Sequence, residues 1–296
     1  MPTKLKHIGV LLTTTFKRWW AADPFRQSAV IAYYAIFSLP GLLVVIMTIT
    51  GYFLDADTAN KYLSTQISST MGADTAKQVQ NMIEAANESK NSILGAIIGA
   101  VTILIGATGV FVQFQKSLNS IWEVKADASK SGIWSLVRIR LFSFGLIIAI
   151  AFIMLVSLAV TALLVAIGDW LSSKFSDSFL VLIQVINFIF SKIIIVLLFA
   201  LMFKFFADAK IKWRHVWLGS IVTALLFLLG MYGLSLYFGK ADPANGYGPA
   251  GSIILILLWV SYSSMIVFFG AEFTHTYAEL HDGPIPPDEN AIKQPN

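Results

Sequence analysis

Six long apolar runs set the terms on which this chain can fold. They cover 29–54, 93–114, 141–167, 180–206, 216–238 and 251–272. A helix needs about 20 apolar residues to cross the hydrocarbon layer of a bilayer. Inside that layer the backbone has no water to bond, so each run must satisfy its own amide groups, which a helix does. Composition agrees. The chain is 56% hydrophobic and 13% charged, where soluble domains hold roughly 25% charged residues. The fold class expected is an all-α integral membrane protein. It is a six-helix transmembrane bundle with an N-terminal amphipathic helix and a short helical extracytoplasmic cap.

The connections carry the orientation. Lys4, Lys6, Lys17, Arg18 and Arg26 precede the first run. Lys116, Lys125, Lys130, Arg138 and Arg140 follow the second, and Lys204, Lys210, Lys212 and Arg214 follow the fourth. The alternate connections hold only Lys61, Lys77, Lys90, Lys174 and Lys240. Basic residues concentrate on cytoplasmic loops, so both termini are expected in the cytoplasm. The net charge of +4 therefore reads as topology and lipid head groups rather than nucleic acid. The first apolar run starts near Ala29, too late for the usual layout of a cleavable signal peptide. The absence of cysteine removes disulfides and thiolate chemistry.

Residues 1–28 form the expected cytoplasmic amphipathic segment. Leu5, Ile8, Leu12, Phe16 and Trp19 recur at helical spacing among lysines, the pattern of a helix lying on the inner leaflet. Asp23-Pro24 then turns the chain into the membrane. The membrane domain is expected over 29–280. Its extracytoplasmic loop, 55–92, reads as two short amphipathic helices separated by Gly72. Leu63 and Ile67 mark one helix; Val79, Met82, Ile83 and Ala86 mark the other. Residues 281–296 are polar and proline-rich and are expected to form a disordered cytoplasmic tail.

Three stretches carry a family resemblance: QSAVIAYYAIFSLPGLL in the first run, GATGVFVQFQKSLNSIW at the end of the second, and YGPAGSIILILLWVSYSSMIVFFGAEF in the last. Together they resemble the YihY/BrkB family of bacterial inner-membrane proteins, once labelled ribonuclease BN. The likeness runs over roughly residues 10–280. Ser261 stands where the family commonly has a tyrosine, and Ala207 where a proline is frequent. The resemblance implies a six-helix inner-membrane protein linked to the envelope, to lipid or lipopolysaccharide traffic, and to resistance to host killing. The nuclease label is not carried over.

Lys192 is the most informative single residue. If the fourth helix starts near Leu180, Lys192 lies about 18 Å along it, near the bilayer midplane. A lysine stem does not easily reach water from there. Such charges face cavities or the bundle interior. No Asp or Glu falls inside the six runs to neutralise it, apart from Glu272 at the end of the last. A cavity or anionic ligand, a bond to backbone carbonyls, and a shifted span all remain open.

Asn187 shares the polar sector of Lys192. Tyr33, Tyr34 and Ser38 in the first run, and Tyr262 and Ser263 in the last, form polar-aromatic patches. Such patches either bond between helices or line a head-group pocket. The set assigned to substrate binding is therefore Lys192, Asn187, Tyr33, Tyr34, Ser38, Tyr262 and Ser263. Gln115 and Asn119 share one helix face at the end of the second run. Glu272, His275 and Glu279 share another, which reads as a solvated cytoplasmic helix end rather than a metal site.

The function expected is transport or flipping of an anionic amphiphile, a phospholipid or lipopolysaccharide precursor, in envelope biogenesis. The alternative is a non-catalytic membrane scaffold for envelope machinery. No HExxH, GxSxG or GxxxxGK motif is present, so neither an enzyme nor a cofactor is expected. Membrane lipids are the expected partners. Envelope proteins and a second copy of the chain stay open, and nucleic acid is not expected. The location is the bacterial inner membrane. Cysteines placed at Ala73 and at Ser129 should react with impermeant thiol reagents from opposite sides of the membrane. Labelling of both from one side contradicts this topology.

Overall fold

The computed structural model describes residues 2–53, 60–61, 64–65, 67–68, 73–88, 108–127, 178–241 and 251–294. The elements are α1 (Pro2–Ala21), α2 (Pro24–Phe53), α3 (Ala73–Glu88), α4 over 108–121, β1 (Val124–Ala126), α5 (Ser178–Phe205), α6 (Trp213–Ala241), α7 (Gly251–Asp282) and β2 (Ala291–Lys293). Among the described residues, three segments are long and apolar enough to cross a membrane: Phe188–Phe205, Trp213–Phe238 and Ile253–Asp282. They fall on the fourth, fifth and sixth expected runs. The first run lies within α2, which stays helical through Pro40 and Gly41. The second is described only from 108 onward. The third, 141–167, lies outside the described residues.

The helix α7 is the hub. It packs against α1, α2, α3 and α6. Its pairing with α6 rests on two glycines and two threonines. A Cβ built on Gly219 would meet Thr274 Oγ1 at 1.7 Å, and one built on Gly270 would meet Thr223 Oγ1 at 1.8 Å. The two contacts are reciprocal: each helix carries a glycine one turn from a threonine, in antiparallel register. Thr223 donates to the Gly219 carbonyl and Thr274 to the Gly270 carbonyl, both at 2.7 Å. Each hydroxyl is thereby satisfied inside its own helix. Small residues let membrane helices approach closely and gain dispersion contacts that lipid cannot replace.

The described part of the 55–92 loop contains one long helix, α3. Val79 and Ile83 are buried with Ile256, against Ile36, Leu39, Ile67 and Val260. Ile36 lies about 18 Å into α2. The helix α3 is thus seated along α2 and α7 rather than only over their ends.

Two expectations at the other end need correction. The helix α1 does more than lie on a surface: Trp19 Nε1 donates to the Met265 carbonyl at 3.1 Å, and Thr15 is buried. Ile8, Leu12, Phe16 and Trp20 still face outward. Residues 282–294 of the expected tail are not a disordered segment. The helix α7 continues to Asp282, and β2 pairs antiparallel with β1, Ile292 opposite Lys125. Ile285 and Ala291 are buried. Backbone amides of Lys210, Asp288 and Gln294 find the carbonyls of Pro286, Asp208 and Glu123 at 2.8–2.9 Å. The prolines bound turns, and the intervening amides pair with distant chain.

Gly270→Val should force α6 and α7 apart, because the obstacle is a β-branched side chain held by its own helix. Overpacking costs about 1–3 kcal/mol, so Tm in detergent should fall clearly. Gly233→Ala, where a Cβ meets nothing within 4 Å, should leave Tm unchanged. Equal melting of the two variants would remove the glycine–threonine contact as a determinant of the fold.

Candidate functional site

The residues chosen from sequence for substrate binding do not gather into one pocket. Lys192 is half-buried on α5, its Nζ 4.9 Å from the centre of the Phe188 ring. The Asn187 side chain lies outside the described residues. Tyr33 is exposed and meets Tyr34 and Phe37 edge-on. Tyr34 is half-buried, its ring covering Gly109 of α4. Ser38 is buried and donates to the Ala35 carbonyl of its own helix. Tyr262 lies against Gly230 of α6, and Ser263 is half-buried. Ser28 and Ser261, 3.0 Å apart, link α2 to α7. Among the described residues, no hydrogen bond or ring contact joins Lys192 to these tyrosines and serines.

The structure concentrates buried polar chemistry elsewhere, at the C-terminal end of α7. Glu272 and His275, expected to be solvated, are 4% and 2% exposed. Helical spacing correctly put Glu272, His275 and Glu279 on one face. It could not say that Trp122, α1 and the turn after α4 cover that face.

Trp122 is fully buried and meets the His275 ring edge-on at 5.4 Å. Arg18 of α1 donates to Glu279 Oε2 at 2.6 Å. That leaves Glu279 Oε1 facing His275 Nε2 at 3.7 Å, while His275 Nδ1 faces Glu272 Oε2 at 3.9 Å. These last two separations are longer than hydrogen bonds. Glu272 Oε2 and His275 Nδ1 are accordingly buried without a hydrogen-bond partner.

Glu123 completes the group. It follows α4 with φ of 54°, a left-handed conformation uncommon for a residue with a side chain. Its carbonyl accepts from Gln294 N at 2.8 Å, so the β1–β2 pairing braces it. Ligand atoms of Glu123, His275 and Glu279 all lie within 4.8 Å of one another.

Two further hubs stiffen this end. Asp208 accepts from Gln115 Nε2 at 3.2 Å and from Asn119 Nδ2 at 2.7 Å, and its amide donates to Asn119 Oδ1 at 2.8 Å. The shared face of Gln115 and Asn119 thus holds the α5–α6 connection. Asp282 gathers Lys212 at 3.0 Å, His215 Nε2 at 2.8 Å, and Arg214. Neither carboxylate stood out in the sequence, because each acts across chain separations that periodicity does not reveal.

Comparisons with known proteins place the chain. A family model described as virulence factor BrkB matches residues 15–294. The UPF0761 membrane protein Smlt0865 of Stenotrophomonas maltophilia is 23% identical over 269 residues, 88% of this chain and 59% of that protein. The chain thus spans about three fifths of the length of that relative. The putative ribonuclease-like protein YfkH of Bacillus subtilis is 26% identical over 94% of this chain and 98% of its own length. A UPF0761 membrane protein of Cronobacter sakazakii is 27% identical over 93% of this chain and 91% of its own length. No solved structure matches. With a family model covering most of its length and membrane proteins among its relatives, this chain belongs to the BrkB family of membrane proteins.

Proposed function

We propose that the chain moves the anionic head group of a membrane amphiphile, a phospholipid or lipopolysaccharide precursor, in envelope biogenesis. Lys192 carries this reading. It sits inside the apolar span Phe188–Phe205, among the exposed side chains Val185, Phe188, Ile189 and Ile193. Among the described residues no carboxylate pairs with it. A charge at the centre of a membrane helix costs about 2.5–3.5 kcal/mol on insertion scales. A ring contact such as that with Phe188 offsets about 0.5–2 kcal/mol of this. A phosphate would supply the missing counter-charge through charge-assisted hydrogen bonds, while its acyl chains stay against the apolar flank.

On this reading the chain is not an enzyme and needs no cofactor to move the head group, and membrane lipids are its partners. It resides in the inner membrane with both termini cytoplasmic. The Bacillus relative carries a ribonuclease-like name. Among the described residues one metal-compatible group occurs, Glu123, His275 and Glu279, where a two-metal phosphodiesterase centre needs ligands for a pair of ions.

Protein reconstituted into vesicles should exchange a fluorescent anionic phospholipid between leaflets. Lys192→Met should retain Tm, because Met fills similar volume without a buried charge. Its exchange rate should fall about tenfold, the equivalent of about 1.4 kcal/mol. Lys192→Glu should lose exchange entirely. A stable and fully active Lys192→Met protein overturns the reading and leaves the scaffold in front. Purified protein free of soluble nucleases should also leave RNA intact. Metal-dependent cleavage lost in Glu272→Gln or His275→Gln would contradict the non-enzymatic assignment.

A further inference from the structure

We propose that Glu123, His275 and Glu279 bind one divalent transition-metal cation of the zinc or manganese class, with Glu272 orienting the histidine from behind. The cluster places carboxylate oxygens from two separate parts of the chain and one imidazole nitrogen within 4.8 Å of each other. Proximity of acids alone would not indicate a ligand. The independent observation is His275 itself, 2% exposed, its Nδ1 buried without a hydrogen-bond partner and its Nε2 3.7 Å from Glu279 Oε1. Behind it, Glu272 Oε2 is buried, equally without a partner, on the Nδ1 side of the ring. A carboxylate on the far nitrogen of a ligating histidine is the usual device for fixing its tautomer and raising its basicity. A neutral histidine has one donor and one acceptor nitrogen. Glu272 Oε2 stands 3.9 Å from Nδ1, placed to take an Nδ1 proton once the ring engages a cation through Nε2.

Charge supports the same assignment. Glu123, Glu272 and Glu279 bring three negative charges, and Arg18 returns one positive through Glu279 Oε2. The remainder of two negative charges matches a divalent ion. Like charges this close in a covered, low-dielectric site repel strongly, and a cation between them removes that penalty. The donor set selects the metal. One imidazole and two carboxylates suit zinc or manganese, whereas magnesium and calcium favour all-oxygen shells. Cys is absent from the chain, so soft thiolate-seeking metals are not served.

The site joins three separate pieces: α1 through Arg18, the turn after α4 through Glu123, and α7. The ion would therefore clasp one end of the bundle, and the β1–β2 pairing that braces Glu123 would form part of the clasp. This inference does not depend on the lipid reading, since metal binding is measured without any lipid substrate.

The test uses the full chain in detergent, stripped with chelator and titrated calorimetrically with zinc and, separately, manganese. One ion per chain should bind, with Tm rising on addition of metal. Glu272→Gln should weaken affinity about 10–100-fold. His275→Gln should abolish stoichiometric binding. Glu123→Gln, on a half-exposed turn where folding is least at risk, should abolish both the binding and the metal-dependent rise in Tm. Glu289→Gln, an exposed acid in the tail, should change neither. Absence of saturable binding by either metal overturns the proposal, and so does binding that persists unchanged in Glu123→Gln and His275→Gln.

Discussion

The close crossing of α6 and α7 is the constraint on which the described structure depends. In a bilayer, helices gain nothing from merely hiding apolar surface, so contact area and approach distance decide which pairs form. Gly219 opposite Thr274 and Gly270 opposite Thr223 bring two backbones together and fix their register at once. That register then places His215 and Arg214 of α6 against Asp282 of α7, and Gly230 against Tyr262 midway along the pair. A slip of one helical turn, four residues, would drive Thr223 into Thr274 and separate the Asp282 cluster. Packing and electrostatics at this end of the helix pair therefore follow from four small residues within about three turns of it.

The C-terminal end of α7 follows a different logic. Buried carboxylates and histidines are costly unless their bonding is complete. Asp208 and Asp282 meet this condition: every described contact to them is a hydrogen bond or an ion pair. Glu272 Oε2 and His275 Nδ1 do not meet it, although they share α7 with Asp282. In this cluster the unpartnered atoms are a facing carboxylate oxygen and imidazole nitrogen, Glu272 Oε2 and His275 Nδ1, whereas the carboxylates of Asp208 and Asp282 already have their partners.

How much of this was legible in the sequence depended on the range of each signal. Membrane helices announce themselves because about 20 consecutive apolar residues have few other uses. The fourth, fifth and sixth runs accordingly coincide with the three apolar helices of the structure. The family resemblance was also legible, in stretches that include Tyr34, Trp122 and Glu272. Packing partners were not. The spacing of Glu272, His275 and Glu279 reveals a common face, but whether water or Trp122 covers it depends on a segment some 150 residues earlier. The tail failed for the same reason. Ala291–Lys293 is too short to signal a strand, and its partner Val124–Ala126 lies far away in the chain. Composition read the prolines as disorder, and only the long-range pairing shows them bounding turns. Sequence could mark Lys192 as a charge within an apolar run but not its neighbours: of the residues grouped with it, Tyr34 and Tyr262 pack against Gly109 and Gly230, and Ser38 bonds within its own helix.

The two unusual polar places, Lys192 and the α7 end, are separated by an apolar layer. Phe199, Ala200 and Phe203 of α5 follow Lys192 along the helix, and all are buried with Leu118, Phe268 and Ala271 in one core cluster. Phe114 and Phe268 add a ring contact at 5.5 Å. An anion drawn to Lys192 thus meets packed side chains, not a polar path, in the direction of His275. In this conformation it has access from the exposed flank of α5, where Phe188 and Ile193 face outward. Passage toward the α7 end would require Phe199 and Phe203 to move relative to Phe268. A close-packed aromatic layer resists small adjustments and changes by discrete repacking. The α6–α7 pair, held close by its glycines and threonines, is the natural fixed frame for such a step.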